Sequence, residues 1–122
     1  MKIKEIKEIL NAEILTGEEY LDREVKYAFS SDLMSDILAC VNSETILLTG
    51  LNNPQIMKAA EMVDLSAIVF VRGKRPASTI IEIAKKKNFV IMFTEETMYT
   101  ASGKLYKENL EGLTIKKEVG NQ

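Results

Sequence analysis

Ala67-Ile68-Val69-Phe70-Val71-Arg72-Gly73-Lys74-Arg75-Pro76 opens with an unbroken apolar run and ends on a basic turn. A run with no polar face suits a strand covered by helices on both sides, so it predicts the centre of a sheet in an α/β fold. Working outward, Thr45 to Leu48 and Phe89 to Phe93 are equally apolar. Between these runs lie two helical patterns. Pro54 to Val63 has Asn53 placed as N-cap and Pro54 at the first helical position. The second runs through Ile80, Ile81, Ile83 and Ala84 to Lys87-Asn88. Strands alternating with helices imply βαβ units with right-handed crossovers, which makes the strands around Ile46, Val69 and Ile91 parallel neighbours or near neighbours.

Toward the N-terminus, Ile3, Ile6, Ile9 and Leu10 follow a helical period that stops at Asn11. Ala12 to Leu15 and Glu24 to Phe29 read as two further strands, expected to pair with each other at an edge. Ser30-Ser31-Asp32 supplies N-cap side chains to a helix with Leu33, Met34, Ile37, Leu38 and Val41 on its apolar face. Toward the C-terminus, a last helix is expected directly after Thr94, with Glu95 and Glu96 in its first turn, where the helix dipole favours acids. Beyond Lys107 the periodicity fades, with Leu110, Leu113 and Ile115 left as docking residues. The expectation is a layered α/β fold with a parallel or mixed central sheet of about five strands and helices on both faces. One domain covers 1–110, and 111–122 form a loosely ordered tail.

The chain has 122 residues, 46% of them hydrophobic, enough for one core without staples. Charged residues nearly cancel to −2, which argues against nucleic acid as a partner. No apolar run approaches the roughly 20 residues needed to cross a bilayer, and Met-Lys-Ile-Lys-Glu-Ile does not open like a signal peptide, so the expected location is the cytoplasm. One cysteine and no histidine exclude a disulfide framework, a Cys/His zinc site and imidazole acid–base chemistry. Cys40, without a His or second Cys nearby, reads as a buried, inert core thiol. Asp32 and Asp36 share a helix face, but two carboxylates in a first turn read as dipole complement rather than a metal site. Met34, Met57 and Met62 read as core filling, and Met98 and Tyr99 as residues facing a partner.

In such a sheet, ligands bind at the carboxyl ends of the strands. Thr49 to Asn53, Arg72 to Arg75 and Thr94 to Glu96 are the loops that meet there. Gly50 and Gly73 permit close backbone approach, while Arg72, Lys74 and Arg75 add positive charge, so an anion is the chemically sensible ligand. The candidate ligand-binding residues are Thr49, Gly50, Asn52, Asn53, Arg72, Gly73, Lys74 and Thr94. Turns and caps use the same residue types for structure alone, so that explanation stands beside the binding one. Neither glycine loop is a phosphate-binding P-loop, because Gly73-Lys74 is followed by Arg75 rather than a hydroxyl residue. No catalytic residue, metal site or cofactor is expected.

The stretch Asp22-Arg23 through Ser31-Asp32-Leu33-Met34-Ser35-Asp36, then Leu48-Thr49-Gly50, then Ala67 through Pro76, then Thr94, resembles the DRTGG domain over about residues 1–110. Leu51 stands where a second glycine is expected. The family is similar to the N-terminal domain of HPr kinase/phosphorylase and, more distantly, to the uridine-nucleotide-binding domain of some Mur ligases. The resemblance implies a layered α/β module without a reaction of its own. It also implies homodimer contacts and a setting beside CBS domains or iron-hydrogenase subunits. Two readings follow: a regulatory or adaptor module that docks on a partner or binds a small anion, and a nucleotide or phosphometabolite sensor.

Overall fold

The computed structural model describes residues 1–114. The elements are α1 (Ile3–Leu10), β1 (Glu13–Thr16), a 3-10 turn (Glu18–Tyr20), β2 (Tyr27–Ser30), α2 (Met34–Cys40), β3 (Thr45–Thr49), α3 (Gln55–Met62), β4 (Ala67–Phe70), α4 (Ser78–Lys87), β5 (Val90–Phe93), α5 (Met98–Lys107) and β6 (Glu111–Gly112). They form one six-stranded sheet in the order β1-β5-β4-β3-β2-β6. β2 to β5 and β6 run parallel, while β1 runs antiparallel against β5.

The apolar runs are central for the reason their composition suggests. Ile46, Leu48, Val69, Val71, Val90 and Met92 face one core with Ile3, Ile6 and Leu10 of α1 and Ala101 and Leu105 of α5. Leu47, Ile68, Phe70 and Ile91 face the other, against Ile37, Ile56, Met57, Ala60, Ile80 and Ala84 of α2, α3 and α4. Period-two alternation splits each strand between two helical layers. The chain steps from β2 to β5 under one layer and returns through α5, on the opposite face, to β6 at the far edge. Reversing both direction and face keeps the crossovers of one hand.

Several expectations are corrected. The two early strands do not pair with each other: β1 closes the β5 edge, while β2 joins the parallel ladder beside β3. Glu95 and Glu96 precede the last helix, which starts at Met98 with Thr97 as N-cap. Ser31, not Asp32, takes up a local backbone donor, its Oγ accepting from the Leu33 N–H at 3.0 Å. Leu33 and Leu38 are exposed rather than core-facing, and Met62 is 80% exposed rather than core filling. Met98 packs against the α1/α5 core rather than facing outward, while Tyr99 is exposed. Cys40 is half-buried, not sealed. Glu111 and Gly112, expected in the tail, pair with Tyr27 and Ala28, and Leu110 is buried. Residues 115–122 of the expected tail, Ile115 among them, lie outside the described residues. Among the described residues no helix is long and apolar enough to cross a membrane.

Candidate functional site

Parallel strands deliver their following loops to one edge, and here four loops arrive: Ser31-Asp32 after β2, Thr49-Gly50 after β3, Val71-Arg72-Gly73 after β4 and Thr94 to Glu96 after β5. Asp32 joins the first three of them. Its Oδ1 accepts from the Gly50 N–H at 2.6 Å and from the Thr49 hydroxyl at 3.3 Å. Its Oδ2 lies 3.4 Å from Arg72 Nη2. Thr49 is fully buried, and its Oγ1 also accepts from the Leu51 N–H at 3.1 Å. A Cβ at Gly50 would run into the Arg72 guanidinium, which would have to swing away from Asp32.

The loops after β4 and β5 lead to helices on opposite faces, so a crevice is expected between them. Backbone hydrogen bonds close it. The Arg72 N–H donates to Glu96 O at 2.7 Å and the Gly73 N–H to Thr94 O at 2.8 Å. Arg72 adopts φ 67° and Gly73 φ 65° to make this turn. For Arg72, that left-handed backbone costs on the order of 1 kcal/mol.

Of the sequence-derived residues, Thr49, Gly50 and Arg72 gather around Asp32, and Gly73 lies against the Thr94–Glu96 loop. The others disperse. Thr94 is buried and donates to Leu10 O at 2.7 Å, joining β5 to the end of α1. Asn52 Oδ1 accepts from the Ala77 N–H at 2.8 Å, tying the α3 approach to the start of α4. Asn53 Oδ1 accepts from the Gln55 N–H at 3.0 Å, but the N-cap of α3 is Pro54, one residue later than expected. Lys74 is exposed. Arg75 leaves the cluster: it pairs with Glu13 at 2.6 Å and stacks over Phe93. Asp32 is the residue sequence reasoning misassigned. Its position two residues past a strand end was the available signal, but a helix cap explained it equally well.

Concave surface is found elsewhere. One hollow of about 520 Å³ opens at the amino edge, beside Arg23, Asp64, Lys87 and Asn88. Its cations are already engaged, Arg23 with Asn88 O at 2.8 Å and Lys87 with Glu61 at 3.2 Å. A second, of about 380 Å³, lies between α5 and the β2/β6 edge, beside Ser102, Gly103 and Tyr106. Among the described residues no group of three His, Cys, Asp or Glu side chains is placed to hold a metal ion.

No protein of curated function matches this sequence. Among solved structures, the chain is similar to the CBS and DRTGG domains of the regulatory region of Clostridium perfringens pyrophosphatase, complexed with its activator diadenosine tetraphosphate. The TM-score is 0.67 at 21% identity, over 84% of this chain and 44% of that one. The chain thus spans less than half the length of that relative, and at this identity the likeness carries the fold. The DRTGG domain profile matches residues 5–107, nearly the whole described structure, and the chain belongs to the DRTGG domain family.

Proposed function

We propose that this chain is a regulatory or adaptor module that acts by binding. It self-associates as a homodimer in the cytoplasm and docks on a partner enzyme or reads a small anionic ligand, without a reaction of its own. The observation that carries this reading is the Asp32 cluster. At the edge where α/β enzymes place their chemistry, the loops here are spent on holding one another, through Asp32 to Thr49, Gly50 and Arg72. The likeness to a regulatory region supports the same reading. Tyr99 and Tyr106, 88% and 71% exposed, stand seven residues apart on one face of α5, the kind of apolar surface a self-complementary contact covers. CBS-domain and iron-hydrogenase systems are the settings proposed for the partner.

The sensor reading, with a nucleotide or phosphometabolite at the same edge, is favoured by the guanidinium, amide and hydroxyl donors that converge there. The similar pyrophosphatase region is itself complexed with a nucleotide activator. Native mass spectrometry of the full chain, alone and with adenine and uridine nucleotides, tests both. A dimer is expected, and a nucleotide adduct on it selects the sensor. A monomer that binds neither nucleotide nor any partner enzyme overturns the proposal.

A further inference from the structure

We propose that Asp32 is a built-in competitor for an anion site made by Arg72, the Gly50 N–H and the Thr49 hydroxyl, and that a phosphate-bearing ligand binds by displacing it. The inference rests on the reading of this module as a reader of small anions, and it names the residue that holds the site shut.

A guanidinium, a backbone amide and a hydroxyl from the ends of two adjacent strands all point at one carboxylate. That donor set is the one proteins use for phosphate oxygens. Asp32 satisfies it unevenly. The Gly50 bond is short at 2.6 Å, but Arg72 Nη2 stands 3.4 Å from Oδ2 and the Thr49 hydroxyl 3.3 Å from Oδ1. Charge-assisted contacts usually close to about 2.7–2.9 Å, so two of the three donors are under-used. A phosphate brings more oxygens and more charge than one carboxylate. Of the acids nearby, Glu96 pairs with Lys104 at 2.8 Å, while the Glu95 carboxylate lies beside Gly73 and is a charge an incoming anion must meet.

Access and release are both built in. The Arg72 and Asp32 side chains are 44% and 43% exposed, so a ligand reaches them without opening the core. Asp32 rides on the entrance to α2, which buries Ile37 alone among its own residues. An element with so few buried contacts moves at low free-energy cost. The same entrance carries exposed Leu33 and, one turn on, Leu38. Displacing Asp32 therefore changes the apolar surface the module presents, and links anion occupancy to docking.

The test is amide NMR of the full chain titrated with inorganic phosphate, with chloride at matched ionic strength as control. In the wild type, phosphate is expected to move the Gly50 and Leu33 amide signals together. Asp32→Asn keeps an oxygen for the Gly50 N–H but removes the competing charge, and is expected to bind phosphate at least about tenfold more tightly. Arg72→Ala is expected to abolish binding. Phosphate or nucleotide binding that leaves the wild-type Gly50 and Leu33 signals in place overturns the competitor role while the anion-reading proposal survives. Equal affinity in Asp32→Asn does the same. Absence of any phosphate or nucleotide binding by both proteins overturns the competitor and the anion reading together.

Discussion

Single residues fix this structure where backbone approaches backbone. Gly17 sits at φ 87°, and a Cβ there would come within 2.6 Å of Phe89 O and 2.8 Å of Val90 Cα, neither of which can yield like a side chain. Gly17→Ala is therefore expected to destabilise by about 2–4 kcal/mol in denaturant unfolding. Gly50→Ala differs in kind, because the added methyl meets the mobile guanidinium of Arg72. It should break the Arg72–Asp32 pair with a stability loss under about 1 kcal/mol, checked by the same unfolding and by loss of phosphate response. Thr94→Val strands the buried Leu10 carbonyl, at about 1–3 kcal/mol. Glu44, by its hydrogen bond and its charge, holds the exposed Lys26 ammonium above its ordinary pKa. With the folded value raised, the pair contributes at neutral pH and the contribution is lost as pH climbs through that raised value. The difference in melting temperature between wild type and Lys26→Met should therefore shrink toward zero at strongly alkaline pH.

Elements differ in how firmly they are held. α1 buries Ile3, Ile6 and Leu10, and α3 buries Ile56, Met57, Ala59 and Ala60, whereas α2 commits Ile37 alone. Hydrogen exchange should accordingly be fastest, among the helices, in α2. Slower exchange in α2 than in α3 would contradict this ranking. In α5, Gly103 interrupts a helix whose added Cβ would meet open space. Gly103→Ala should stabilise by about 0.5–1 kcal/mol, from propensity alone, unless that face closes against another chain.

The whole molecule is a single sheet shared by two cores, so damage on either face should register in one transition. Ile6→Ala on the α1/α5 side and Ile68→Ala on the α2/α3/α4 side are each expected to cost about 2–5 kcal/mol. Each should shift a single denaturation midpoint without splitting it. The net charge of −2 leaves no strong field over the molecule, so the ligand preference belongs to local donors such as Arg72 rather than to long-range steering.

The sequence by itself determined the local choices. Ala67 to Val71 suits a covered strand, Asn53-Pro54 marks a helix start, and the alternation between such segments implies parallel βαβ units with their loops at one edge. These are short-range consequences of periodicity, capping and crossover handedness, readable from neighbouring residues. Only the tertiary structure decided the partners across long separations: β1 beside β5 rather than β2, Glu111-Gly112 returned to the β2 edge, Thr94 spent on Leu10. It likewise turned Asp32 from a helix cap into the carboxylate that joins Thr49, Gly50 and Arg72. Such pairings depend on which surfaces remain unburied once the sheet has formed, and on which hydrogen-bond donors are left to satisfy at its edge, and neither is written in any one stretch of chain.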